Sequence, residues 1–156
     1  MTPVIYLYKE GWKKLFLGTS DFYLFDTFIS EMPTQNGNQN SGINLFSYAD
    51  GDSEIKNYFS IFPHVHVVKG RVPDSLSALP DGSNISFLHL DLNNSIAEEQ
   101  ALNALIGRIK KGGIILFDDY GGFGGEKQAE VHERFVNKMN NRLFTLPTGQ
   151  AIYIHV

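Results

Sequence analysis

Three carboxylates stand at the ends of two apolar runs. Gly112-Gly113-Ile114-Ile115-Leu116-Phe117 ends in Asp118-Asp119, and Ile85-Ser86-Phe87-Leu88-His89-Leu90 ends in Asp91. Both runs are rich in Ile, Leu and Phe and bounded by Gly or polar residues, the pattern of buried parallel strands. If the two strands are neighbours, the acids converge at their C-terminal rim, where open α/β sheets bind ligands. Carboxylates crowded in this way resist ionising together unless a cation neutralises them. The pattern therefore points to a hard divalent ion and to chemistry on an oxygen-bearing substrate. A structural reading stands beside it, because an Asp at a strand end also caps a helix or forms a turn. Adjacent strand residues face opposite ways, so Asp118 and Asp119 share a crevice only if the chain turns there, which Gly121-Gly122 makes easy.

Other residues carry weaker signals. Asp26 ends the aromatic run Phe22-Tyr23-Leu24-Phe25, where it either holds a ribose hydroxyl, as acids at such strand ends do in nucleotide-binding folds, or forms a turn. Gly121-Gly122-Phe123-Gly124-Gly125 matches neither the dinucleotide fingerprint nor the P-loop, so it reads as a flexible loop beside the site. His64 and His66 lack a third ligand and read as surface or edge histidines. His89 shares the face of Asp91 and reads as a satisfied core histidine or a substrate contact. No Ser-centred elbow is visible, and without cysteine there is no thiolate nucleophile.

The elements that must position these groups follow from periodicity. Residues 52–62 place Ile55, Tyr58, Phe59 and Phe62 at helical spacing, stopped by Pro63. Val65 to Lys69 reads as a strand with Gly70 as its exit, and Pro73 to Leu79 as a short helix or turn. Ser95-Ile96-Ala97-Glu98 has the form of a capping box, opening a helix through Ile109 that Lys110, Lys111 and Gly112 end. A last amphipathic helix covers about 126–140, and Leu143 to Leu146 with Ala151 to His155 form a hairpin around Pro147-Thr148-Gly149. Strands alternating with helices make a doubly wound α/β domain with a mainly parallel sheet and an antiparallel C-terminal pair. Residues 34–44, almost wholly polar or Gly, read as a mobile loop, either a plain connector or a lid.

Bulk properties narrow the function classes. The 156 residues suffice for one domain with its own core. A net charge of −4, with no basic stripe, argues against a nucleic-acid surface. No apolar run approaches the ~20 residues that span a bilayer, and the N-terminus lacks a signal-peptide pattern. The absence of cysteine fits a cytoplasmic protein.

Taken in order, several segments are similar to macrocin O-methyltransferase-like (TylF/NovP-type) enzymes. They are Phe25-Asp26-Thr27-Phe28 with Met32-Pro33, Val68-Lys69-Gly70 with Pro73-Asp74-Ser75-Leu76, His89-Leu90-Asp91, Gly112-Gly113, Asp118-Asp119-Tyr120-Gly121 and Pro147-Thr148-Gly149-Gln150. The resemblance implies a class I, Rossmann-like S-adenosylmethionine-dependent methyltransferase acting on a sugar hydroxyl. It implies a magnesium-type ion on Asp91, Asp118 and Asp119, with Asp91 doubling as general base. It also places Asp26 at the cofactor ribose and Lys69, Gly70 and Arg71 near its adenine.

The chain departs from that pattern at its start. Only 21 residues precede Phe22, and no Gly-x-Gly follows Val4 to Tyr8, leaving Gly11 and Gly18 as the only candidates. A truncated or rebuilt first unit is expected. Two other functions use the same residues. One is a non-catalytic binding module without cofactor, whose uncovered apolar edge would drive homodimerisation. The other is a Mg2+-dependent phosphohydrolase, which lacks a nucleophile and phosphate cradle here.

Overall fold

The computed structural model describes residues 20–27 and 51–156. The polar loop at 34–44, the segment from Val4 to Tyr8, Gly11 and Gly18, and the residues Phe28, Met32 and Pro33 lie outside them. The order of elements is β1 (Phe22–Asp26), α1 (Gly51–Phe59), β2 (Val65–Lys69), β3 (Ile85–Leu90), α2 (Ser95–Leu105), β4 (Ile109–Phe117), α3 (Glu126–Lys138), β5 (Phe144–Thr145) and β6 (Ala151–Ile154). Short 3-10 turns at Asp74–Ala78 and Ile106–Arg108 fill two connections. β1 and β2 pair in parallel, and a second ladder runs β3-β4-β6-β5, parallel between β3 and β4 and antiparallel thereafter. The expected α/β class, with its C-terminal antiparallel pair, is what the chain adopts.

The main core joins most of these elements, and a smaller cluster packs Phe59, Phe62, Val65 and Phe87 around Phe22. Tyr23 and Phe25 of β1 cluster with Ile85, Leu88, Phe117, Tyr153 and the buried faces of α2 and α3. Ile85, Phe117 and Tyr153 are wholly buried, each stabilising the fold by about 1.5–3 kcal/mol or more. On α3 the buried stripe is Val131, His132, Phe135 and Val136, so an imidazole sits among the apolar positions. No helix among the described residues is long and apolar enough to cross a membrane.

Two local expectations are corrected. The α2 cap is Asn94, whose side chain accepts from the N–H groups of Ile96 and Ala97 at 3.1 and 3.0 Å. Asn93, at φ 51°, takes the left-handed conformation that Asn tolerates and brings Asn94 rather than Ser95 to the cap position. Glu98 is therefore released from a capping box and turns into the core, fully buried. The helix also ends earlier than expected. It stops at Leu105, the 3-10 turn follows, and Lys110 and Lys111 lie in β4 rather than at a helix end.

Gly112 and Gly113 accordingly serve a bulge and not a helix stop. Ile85 pairs with Ile109 and Phe87 with Ile114, so a two-residue step on β3 faces a five-residue step on β4. Gly112 takes φ 75°, and a Cβ on Gly113 would lie 2.8 Å from the Lys110 carbonyl oxygen and 3.1 Å from that of Ile85. Backbone on both sides cannot yield, which makes glycine necessary there. Gly113→Ala is expected to lower stability by about 1–3 kcal/mol. Urea denaturation read by circular dichroism checks this, and an unchanged midpoint would contradict the bulge assignment.

Candidate active site

The register between β3 and β4 builds the site. Leu90 stands opposite Phe117, and the Asp118 N–H donates to the Leu90 carbonyl at 3.1 Å. Asp91 and Asp118 therefore leave adjacent strands side by side. His89 joins them from the same face of β3: one ligand atom from each of His89, Asp91 and Asp118 lies within 4.8 Å of the others. Two ligands bound to one ion at 2.0–2.6 Å each stand no more than ~5 Å apart, so the spacing fits a shared coordination sphere.

Side-chain donors orient these carboxylates. Asp118 Oδ1 accepts from His89 Nε2 at 3.2 Å and from Gln150 Nε2 at 2.5 Å. The Thr148 hydroxyl donates to Gln150 Oε1 at 2.9 Å, which fixes the amide so that its NH2 faces Asp118. Asn93 Nδ2 donates to Asp91 Oδ1 at 3.0 Å. A carboxylate has about four lone-pair sites, so both acids keep acceptor capacity for an ion or a substrate proton.

The electrostatics are those of a site lacking positive charge. Burial, then the neighbouring charges of Asp118 and Asp119, push the Asp91 carboxyl from the ordinary 3.8 up to about 6, against a small opposing effect of His89. Asp119 is raised too, first by burial and then by Glu98 and Asp118. Its Oδ2 is buried without a hydrogen-bond partner among the described residues. An orphaned carboxylate oxygen beside a carboxylate that ionises reluctantly is the donor set a hard cation would satisfy. Asp119 is thus near the group of three but outside it, within electrostatic reach of Glu98 and His132.

The second rim lies across a cleft. Asp26 is in register with Lys69, and the Gly70 N–H donates to the Asp26 carbonyl at 2.9 Å. Arg71 follows, its carbonyl accepting from the Ser75 N–H at 2.9 Å. Phe25, Val72 and Leu76 from this side line one apolar cleft with His89, Asp91 and Leu92 from the other. Asp91 lines this cleft, and on the other side Phe25 and Val72, the chain neighbours of Asp26 and Arg71, reach it.

The glycine loop is welded at its base. Gly121 N–H donates to the Gly149 carbonyl at 2.6 Å, and a Cβ on Gly125 would collide with the Asp119 carbonyl oxygen. Phe123 stands fully exposed at its tip. His66 pairs with Asp21 at 3.2 Å, both half-exposed, consistent with a surface histidine. Sequence reasoning undervalued His89, whose two-residue offset from Asp91 was the available signal. Gln150 stands out in the sequence only as part of the Pro147-Thr148-Gly149-Gln150 segment, Glu98 reads there as a capping-box carboxylate, and His132 carries no signal of its own.

Comparison with known proteins now bears on this geometry. The family model described as Macrocin-O-methyltransferase (TylF) matches residues 14–153. The chain belongs to the TylF macrocin-O-methyltransferase family. Among solved structures it resembles the O-methyltransferase NovP, with a TM-score of 0.69, 14% identity, and coverage of 93% of this chain and 64% of that one. The calicheamicin methyltransferase CalS11 gives 0.60 at 20% identity, covering 86% of this chain and 60% of that one. The methyltransferase PaMTH1 of Podospora anserina, bound to SAH, gives 0.57 at 12% identity, covering 87% and 60%. At these identities the likeness is one of fold, and the chain spans less than two thirds of each of these proteins. No curated protein sequence matches it.

The charge crowding has a thermodynamic sign. A carboxyl whose folded-state pKa exceeds its unfolded value costs stability above the folded pKa, and the cost vanishes as pH falls below the unfolded one. In chelator, Asp91→Asn is therefore expected to raise Tm at pH 7, with the gain fading from about pH 6 toward 3.8. Scanning calorimetry across that range checks it. A gain that persists undiminished below that window, or none at pH 7, would contradict the assignment.

Proposed function

We propose that this chain carries the methyl-transfer site of an S-adenosylmethionine-dependent O-methyltransferase acting on a sugar hydroxyl with help from a magnesium-type ion. The observation that carries the reading is the convergence of Asp91 and Asp118 from adjacent strand ends, in a chain of the TylF family. Two similar structures support the cofactor and substrate class. PaMTH1 is bound to SAH, the demethylated form of S-adenosylmethionine, and CalS11 is described as a TDP-rhamnose 3'-O-methyltransferase.

Each residue then has a task. Asp26, at the end of β1, would accept hydrogen bonds from the cofactor ribose, with Lys69, Gly70 and Arg71 bordering its adenine. Bound S-adenosylmethionine supplies an electrophilic methyl on a sulfonium. Asp91 and Asp118, with Asp119 beside them, would hold the cation, which would supply Lewis-acid activation of the substrate hydroxyl. Asp91 takes the hydroxyl proton as the oxygen forms its bond to the methyl carbon. His89 and Gln150 hold Asp118 in place by donating to one oxygen. The remaining barrier is lowered by aligning acceptor oxygen, methyl carbon and leaving sulfur.

Titration calorimetry tests both ligands. Wild type is expected to bind S-adenosylmethionine and Mg2+, and Asp118→Asn to weaken Mg2+ binding by about tenfold or more while leaving cofactor affinity nearly unchanged. Incubation with nucleotide-linked deoxysugars and S-adenosylmethionine should yield a singly methylated sugar by mass spectrometry, abolished in Asp91→Asn. A wild type that binds neither ligand would overturn the proposal.

A further inference from the structure

Behind the rim lies a buried pair that takes no direct part in the proposed chemistry. Glu98 of α2 and His132 of α3 are both 0% exposed, with Glu98 Oε2 and His132 Nε2 2.7 Å apart. Glutamate is almost never fully buried unless paired. Even paired, such groups are often matched or exceeded in stability by apolar residues of the same size. Core filling is therefore a poor account of them.

Their contacts run to the rim from two directions. Glu98 Oε1 accepts from the N–H of Leu92, the residue after Asp91, at 3.3 Å. The His132 ring stacks on Phe117, the last residue of β4, with centroids 4.1 Å apart and planes inclined by 29°. It also lies 6.4 Å from the ring of Tyr120. Phe117 and Tyr120 bracket Asp118 and Asp119 in the chain. His132 Nδ1 and Asp119 Oδ2 are both buried without hydrogen-bond partners among the described residues.

We propose that Glu98 and His132 are positioning residues: a buried carboxylate–imidazole strut that sets the backbone carrying Asp91 and the strand exit carrying Asp118 and Asp119. The inference rests on the reading of those three acids as the working carboxylates. Glu98 stops the 91–94 turn from drifting away from β4, and His132 ties that stop to α3 and to the ring beneath the second strand end. Cation ligands tolerate only a few tenths of an ångström of displacement. Groups that orient ligands from behind change metal affinity by about 10–100-fold when removed.

The test replaces the pair by apolar side chains in the full chain. Glu98→Leu/His132→Phe keeps an aromatic ring against Phe117 and is expected to fold with a Tm at or above wild type. Its Mn2+ affinity, measured by calorimetry, should fall by about tenfold or more. Amide hydrogen exchange at Leu92 and Asn93 should quicken while exchange in the core strands stays slow. Wild-type Mn2+ affinity together with wild-type exchange at Leu92 would overturn the proposal. If wild type itself binds no Mn2+, the cation reading fails separately, and exchange at Leu92 alone decides the strut. If the double variant does not fold, Glu98→Gln against Glu98→Leu decides on the same amides. Gln keeps an oxygen for the Leu92 N–H and should stay slow, Leu should be fast, and equal rates in the two would overturn the strut.

Discussion

Leu90 and Phe117 face one another across a parallel ladder, and that register forces two acids out of the sheet at the same place. Parallel strands deliver their C-terminal ends to one edge, so nothing in the fold separates Asp91 from Asp118. The repulsion is built into the topology and is partly offset by hydrogen-bond donors. His89, Gln150 and Asn93 each give a hydrogen bond to one of these carboxylates. The rim is thereby held in shape while it remains short of positive charge.

Most of the architecture was legible because each strand and helix announces itself by period. β2 was read with its observed bounds, and β1 and β3 were read from their apolar runs, as were the hairpin and α3. The misplacements are local and share a cause. At α2, two polar residues compete for one cap, and sequence cannot see that Asn93 adopts a left-handed backbone and hands the role to Asn94. At β4, a Gly-Gly pair after two lysines has the form of a helix end, yet the chain had already left the helix and used the glycines for a bulge.

The site was legible as a set of acids and not as a set of partners. Asp91 and Asp118 were found by their strand-end positions. Gln150 reaches Asp118 from a turn distant in sequence, a contact that exists only once the hairpin has folded back. Glu98 was misassigned for a different reason: its spacing from Ser95 has the form of a capping box, although it also stands at helical spacing with Ala101, Leu102 and Leu105. His132 likewise lies on the stripe of Val131, Phe135 and Val136, and the burial of both is realised only when α2 and α3 pack against each other.

The dependence of Asp118 on Gln150 also orders events in time. During synthesis β3, β4 and the acids they carry leave the ribosome before residues 148–150. Until the final hairpin emerges and pairs with β4, the Asp118 carboxylate lacks a hydrogen-bond donor that it has in the finished molecule. The rim at Asp118 thus acquires its native bonding only after residues 148–150 have left the ribosome.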